Sequence, residues 1–266
     1  MAGIRWETHG KPGSQIYLLR LGLVATAKMQ RPQSMDCELI KKLRRDNRTI
    51  GFYYEPGLAT KAIGQLGKSR ATEPLAHSAT SLIDLGVKKE QLLASFSAKT
   101  RYNIGYTLKK KAIITTTTSL NKLSERERAD FYSLRVQWNL HKGLHGYEFN
   151  FLESILRSYR DHGQLHIAYH KNTPIAALLI LTNDHVAAYY TAYSTPLGNQ
   201  HFAPTLLTWT SMEMAKQAGC DIYDFGGVYD RRYPKLYKRW QGFSKFKEGF
   251  RPTFVQYPPS RLQLFW

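Results

Sequence analysis

Residues 165–227 read as three strand-like runs, a helix and a further strand, and this succession constrains the fold more than any other part of the chain. "LHIAYH", "IAALLILT" and "HVAAYYTAYS" are separated by Asn-Thr-Pro and Asn-Asp turns, so an antiparallel meander is the economical pairing. Pro204 opens a helix through Leu206, Leu207, Thr210 and Met214, and Gly219 closes it. "CDIYDFGG" follows as a strand ending in a glycine pair. A meander, then a helix, then another strand implies an α/β unit with a mixed sheet.

Upstream, "AIITTTTSL" (112–120) is β-branched and reads as the opening strand of this unit. "SERE", Ser124 to Glu127, is a capping box, and Phe131, Arg135 and Trp138 follow at helical spacing. "NFLE", Asn150 to Glu153, repeats the cap pattern, with Gly163 as the expected stop. Earlier still, "SQIYLLRLGLVATA" (14–27) reads as a strand and "SMDCELIKKLRRDNR" as a helix. "TIGFYYEPG" and "TSLIDLG" read as strands, and "KKEQLLASFSAKTRYNIGYTLKKK" as helix in two pieces, with Gly105 a weak point.

The chain has 266 residues, a net charge of +18 and two cysteines, Cys37 and Cys220. Two cysteines cannot make a disulfide framework, and no Cys/His cluster offers a metal site. No apolar run reaches the ~18–20 residues of a membrane span. "MAGIRWETHGKPG" lacks the apolar region of an export signal, so a cytoplasmic location is expected. The charge predicts polyanionic partners: nucleic acid, anionic lipid or nucleotide-linked substrates. "KKLRRDNR" (41–48), "KTRYNIGYTLKKK" (99–111) and "RRYPKLYKR" (231–239) concentrate it, and two of the three interleave tyrosines.

The element order of the second half looks like the acetyltransferase-type (GNAT) fold. The first half is expected to be a reduced copy, although no residue-level repeat links the two. Four segments then stand in order. Lys99, Arg101, Asn103 and Ile104 form Lys-x-Arg-x-Asn-Ile, and "FYSLRVQWNLHKGLHGYEFNFLESIL" reads as a helix and a Gly-Phe-type turn. Asp224, Gly226 and Gly227 form Asp-x-Gly-Gly, while Phe246, Lys247, Gly249 and Phe250 form Phe-Lys-x-Gly-Phe. Together these segments resemble the motifs of the FemABX peptidyltransferases.

The resemblance implies an α/β fold of two GNAT-like subdomains with mixed, mostly antiparallel sheets, expected at 1–111 and 112–266. The first would be short, with the C-terminal tail packing back on it. It also implies an activity: moving an amino acid from aminoacyl-tRNA to the stem-peptide amine of a peptidoglycan precursor, UDP-linked or lipid-linked. No cofactor beyond aminoacyl-tRNA as co-substrate and no metal is expected. Monomeric behaviour and peripheral contact with the inner membrane face complete the expectation.

Residue roles follow from the same resemblance. Lys247 corresponds to a family lysine near the tRNA's terminal adenosine and ester; on its spacing alone it reads as a surface lysine beside core phenylalanines. Phe246 would stack or position beside it, and Gly249 would allow close backbone approach. Asp224 is a candidate acceptor for the attacking amine's proton; on the residues alone it equally fixes a strand-end turn, with Gly226 and Gly227 permitting the bend. Lys99 and Arg101 are candidates for phosphate or RNA contact, or a solvated helix face. His141 stands roughly where the family often has an arginine that grips the precursor's phosphates, and Lys11 lies near another phosphate-binding position. Tyr190 and Tyr193, with Tyr189, either line the groove or are half-buried strand residues. Arg231, Arg232, Lys238 and Arg239 sit in a basic, aromatic connection suited to RNA or a nucleotide.

Two other readings stay open. An acyl-CoA-dependent N-acetyltransferase would share the fold, but "NQHFAPTLL" lacks the glycines of a pyrophosphate loop and Pro204 removes a donor. A non-catalytic RNA-binding protein of GNAT-like fold would also suit the charge.

Overall fold

A computed structural model describes residues 6–58, 68–110, 112–143 and 149–265. They fall into two compact units, one within the ranges 1–79, 230–236 and 255–266 and the other within 80–229 and 237–254.

The first unit is built on a six-stranded sheet. Strands β1 (Trp6–His9), β2 (Ile16–Leu21) and β3 (Val24–Gln30) form an antiparallel series. Helix α1 (Cys37–Asn47) then crosses over to β4 (Thr49–Glu55), which runs parallel to β3. The C-terminal strand β13 (Arg261–Leu264) lies between β4 and the short β5 (Arg70–Ala71). Asp36 caps α1 by accepting from the Leu39 N–H at 2.9 Å, and Arg48 ends the helix in a left-handed conformation. Ile40 and Leu43 bury the apolar stripe of α1 with Ile16, Leu18, Met29 and Phe52. The run at 14–27 is two strands rather than one. Gly22, at φ +67, turns the chain between Leu21 and Leu23, both exposed at the tip.

The second unit is built on seven strands in the order β12-β6-β11-β10-β9-β8-β7. These are β6 (Ala79–Asp84), β7 (Ile114–Ser119), β8 (Gly163–His170), β9 (Thr173–Asn183), β10 (Val186–Ser194), β11 (Ile222–Gly227) and β12 (Thr253–Gln256). The helices are α2 (Lys89–Ser95), α3 (Ala98–Lys110), α4 (Glu125–Lys142), α5 (Phe149–Ser158), α6 (Pro196–Gln200), α7 (Ala203–Gln217) and α8 (Gln241–Glu248). The meander β8-β9-β10 forms as the sequence predicts, and β11 joins β10 in parallel after the α7 crossover.

The sheet is buried on both faces. Leu178 and Ile180 of β9 face a core with Phe96, Leu207 and Met212, whereas Leu179 and Leu181 face Phe131, Leu134 and Leu156. This two-sided burial explains why β9 reads as a continuous apolar run rather than an alternating one. The expected capping box at Ser124 is present, with Ser124 accepting from the Glu127 N–H and Glu127 from the Ser124 N–H. The "NFLE" cap is not: α5 already includes Phe149, and Glu153 instead binds Arg128 and Tyr132. Helix α5 ends at Ser158, and Gly163 opens β8 rather than ending the helix. The break between the two helical pieces at 89–110 lies at Phe96–Ser97, not at Gly105.

Both units share one topology: an antiparallel hairpin, a crossover helix, then a strand parallel to the hairpin's second strand. In the first unit this is β2-β3-α1-β4, and in the second β9-β10-α7-β11. These are two GNAT-like subdomains with mixed sheets. The division falls at Ala79/Thr80, whereas the sequence places it at 111/112. Helices α2 and α3 pack into the second core through Leu92, Phe96 and Ile104, so they belong to the later unit.

Candidate functional site at the divided sheet

Strands β10 and β11 pair only over Val186–Ala188 and Ile222–Asp224. Beyond that point β11 shifts register against β6 between Asp224 and Gly227, and β10 shifts against β9 between Tyr189 and Thr191. The two irregularities open the sheet. The β10 shift also reverses the side-chain alternation, so Tyr189 packs with the α7 core and Tyr193 with the α4 core. A cavity of about 220 Å³ lies beside the β10 shift, between β9, β10 and the helices over them, lined among others by Trp138, Tyr189, Tyr193, Asn199, Pro204 and Phe246.

Lys247 stands at the opening on α8 and is 6% exposed. Its ammonium donates to the Gly227 carbonyl at 2.7 Å and lies 4.7 Å from the Phe243 ring centre and 5.7 Å from that of Tyr189. Burial lowers its pKa to about 8, and the charge of Asp224 works in the opposite direction. A cation held by one carbonyl and two ring faces is partly compensated for lost water. At neutral pH it remains mostly protonated.

Asp224 holds the strand end. One carboxylate oxygen accepts from the Thr80 hydroxyl and, at 2.7 Å, from the Gly226 N–H. Gly226 takes φ +69, which the carboxylate bond and the missing side chain together allow. The geometry therefore supports the turn-fixing reading of Asp224 and adds a field that favours the charged form of Lys247.

Two separated motifs meet behind Lys247. A Cβ at Gly249 would lie 2.6 Å from the Thr100 hydroxyl oxygen, so only glycine lets the end of α8 approach α3 this closely. The Ser97 N–H donates to the Gly249 carbonyl at 2.9 Å, and Phe250 packs edge-on against Phe96. Arg101 donates to the Ala94 and Phe96 carbonyls, tying the end of α2 to α3. Its guanidinium is thus engaged within the fold, while Lys99 is exposed.

The other expected residues distribute as follows. Tyr193 and Phe246 line the cavity, while Tyr190 is exposed. His141 is exposed in the last turn of α4, which Gly143 ends. Residues 144–148, where the Gly-Phe-type turn was expected, lie outside the described residues. Lys238 and Arg239 are exposed on a 3-10 turn of the second unit. Lys11, on the β1–β2 turn, and Arg231 are exposed in the first unit. Arg232 makes a two-pronged pair with the fully buried Asp230 and donates to the Ser78 and Tyr257 carbonyls, so it serves the fold of that unit.

Residues not singled out from the sequence also shape the site. Thr80 and Asn199 carry no local signal, because their roles arise from contacts far along the chain, whereas Phe243 lies one helical turn before Lys247. Arg135 does carry one: it sits on the apolar face of α4 with Phe131 and Trp138, is buried, and lies 5.6 Å from the Phe149 ring. Burial raises the Tyr193 phenol, and the Arg135 charge opposes that rise.

The fold and site define a tandem GNAT-like protein with a buried lysine at the divided sheet of its second unit. Residues 166–259, which run from within β8 to just past β12 and include Lys247, match the FemAB family, in line with the FemABX resemblance. The fold is similar to that of FemX at TM-score 0.79 and 12% identity, over 98% of this chain and 88% of that one. L-PGS from Bacillus licheniformis is similar at TM-score 0.61 and 12% identity, over 98% and 83% of the two chains. A tandem GNAT protein from the clavulanic acid biosynthesis pathway is similar at TM-score 0.54 and 9% identity, over 94% and 78%. A sequence comparison with curated proteins finds no match.

Proposed function

We propose that this chain is an aminoacyltransferase of the FemABX type, which moves an amino acid from aminoacyl-tRNA to the stem-peptide amine of a peptidoglycan precursor, in cell-wall bridge formation. The observation that carries this reading is the Lys247 ammonium, buried at the opening of the divided sheet within the FemAB-matching segment. The stem-peptide amine attacks the ester carbonyl, a C–N bond forms and the carbonyl oxygen becomes an oxyanion. Collapse breaks the ester C–O bond, and the leaving ribose oxygen takes up the proton that the amine sheds. Lys247 is the fixed charge for the oxyanion, an effect typically worth ~3–4 kcal/mol of barrier. Asp224 supports it by favouring the protonated amine, and Phe246 borders the place of the aminoacyl group.

The acyl-CoA reading is less favoured by the start of α7. Phe202 there takes a left-handed conformation, and the Thr205 and Leu206 N–H groups both donate to its carbonyl. Pro204 has no N–H, so few donors are left for a pyrophosphate. Among the described residues, no helix is long and apolar enough to cross a membrane.

The test is incubation of the full chain with labelled aminoacyl-tRNAs and with UDP-linked and lipid-linked precursors, followed by mass spectrometry. Transfer to either precursor supports the reading and identifies the acceptor. Transfer from acetyl-CoA, with none from any tRNA, would overturn it.

A further inference from the structure

Helix α3 presents a largely exposed basic and aromatic face. Lys99, Tyr102, Gly105, Tyr106, Lys109 and Lys110 fall within one arc at 3.6 residues per turn. The helix contains no acidic residue. Tyr102 is 64% exposed and stacks on Tyr106 with ring centres 5.9 Å apart and planes 27° from parallel. Lys110 lies 5.4 Å from the Tyr106 ring centre, and Phe202 meets that ring edge-on at 5.8 Å. A depression of about 460 Å³ lies over this face, where Gly105 leaves room between the two tyrosines and Lys109.

An exposed ring stacked on a half-buried one and flanked by lysines suits a ligand that is planar and anionic at once. Lys99 and Lys110 are eleven positions apart, or roughly 16 Å along the helix at ~1.5 Å per residue. That separation is long for one mononucleotide and suits several nucleotides of a strand. Double-stranded RNA keeps its bases stacked inside the helix, so only unpaired nucleotides can use the rings. The turn between α6 and α7 links this face to the cavity, since Phe202 touches Tyr106 while Asn199 and Pro204 line the cavity.

We propose that the α3 face is a docking platform for single-stranded RNA, with a base stacked on the Tyr102–Tyr106 pair and phosphates beside Lys99, Lys109 and Lys110. The proposal rests on the tRNA-dependent reading above and adds the surface that leads the unpaired 3′ end toward the cavity.

The test uses the full chain and fluorescence anisotropy with a labelled single-stranded RNA of about twelve nucleotides, within the usual site sizes. Tyr102→Ala should weaken binding about tenfold, from the loss of one stacked base, and Tyr102→Trp should restore it. Lys109→Gln with Lys110→Gln should reduce the magnitude of the salt slope by about 1.4, at ~0.7 per phosphate contact. Binding of a blunt RNA duplex should be insensitive to Tyr102→Ala. Wild-type affinity in Tyr102→Ala would overturn the platform, as would an unchanged salt slope in the double variant. Loss of binding to phosphatidylglycerol vesicles with RNA binding unchanged would also overturn it and mark the face as a membrane contact. Failure of the platform alone leaves tRNA-dependent transfer intact. Failure of transfer alone, with RNA binding still dependent on Tyr102, removes the enzymatic reading and keeps the platform.

Discussion

The ammonium of Lys247 donates to the carbonyl of Gly227 at 2.7 Å, across twenty residues of sequence, and this bond seats a charge at the place where β10 and β11 separate. The carbonyl is available because the Asp224–Gly226 turn bends the strand end. The buried charge and the strand irregularity are therefore parts of one construction.

Replacing Lys247 with Met should separate stability from activity. The folded pKa of about 8 lies below the ordinary lysine value, so the unfolded chain binds the proton more readily between about pH 8 and 10.5. Wild-type stability should rise across that window. The burial cost at pH 7 is about 3 kcal/mol, at ~1.4 per pKa unit, offset in part by the Gly227 bond. Lys247→Met should be about 1–3 kcal/mol more stable at pH 7 in urea unfolding, with the gap closing toward pH 10. Its transfer rate should fall about a hundredfold or more. Equal stability at pH 7 would show that the charge is not costly there.

Gly249→Ala should lower stability by about 1–3 kcal/mol, because its Cβ meets the Thr100 hydroxyl and the Phe246 carbonyl. Thr100→Ala removes the closer of the two contacts, so the double variant should recover part of the loss. A double-mutant cycle measures this directly, and strict additivity would show that the two residues do not meet.

His166 is buried in β8 with Nδ1 2.9 Å from the Thr117 hydroxyl, and burial lowers its pKa to about 4. Below its ordinary value near 6.5 the unfolded chain takes up the proton first, so stability should fall as pH drops from about 6.5 to 4. The full effect is about 3 kcal/mol. His166→Asn should flatten that acid limb in thermal unfolding; an unaltered limb would assign it to other groups.

In the first unit, Asp230 is fully buried and paired with Arg232 and the Ser78 hydroxyl. Burial alone would raise its pKa, but the Arg232 and Ser78 bonds outweigh it and hold the carboxyl low. Its contribution is present above the ordinary aspartate range and is lost as pH falls through the lowered value. Asp230→Ala should cost about 3–5 kcal/mol, since Arg232 loses its charge partner. Arg232→Gln should destabilise the fold too, whereas Arg231→Gln should not. Equal stabilities for the two arginine variants would contradict the structural role given to Arg232.

Much of the second unit is written locally. The meander, the Ser124 box and the Pro204–Gly219 helix depend on turn residues, caps and apolar runs that act within a few positions. The resemblance in Phe-Lys-x-Gly-Phe also singled out Lys247 and Gly249 without any contact being known. Three-dimensional packing alone decided what those residues do. Thr80 bonds Asp224, Tyr189 borders Lys247, and Thr100 requires Gly249 to be glycine, each across a separation that no local pattern spans. The strand shifts at Tyr189 and Gly227 follow from how neighbouring strands register against one another, and the division at Thr80 follows from which core α2 and α3 enter. Such choices are settled by burial and close packing between distant segments, and these depend on the whole folded unit rather than on any one stretch of sequence.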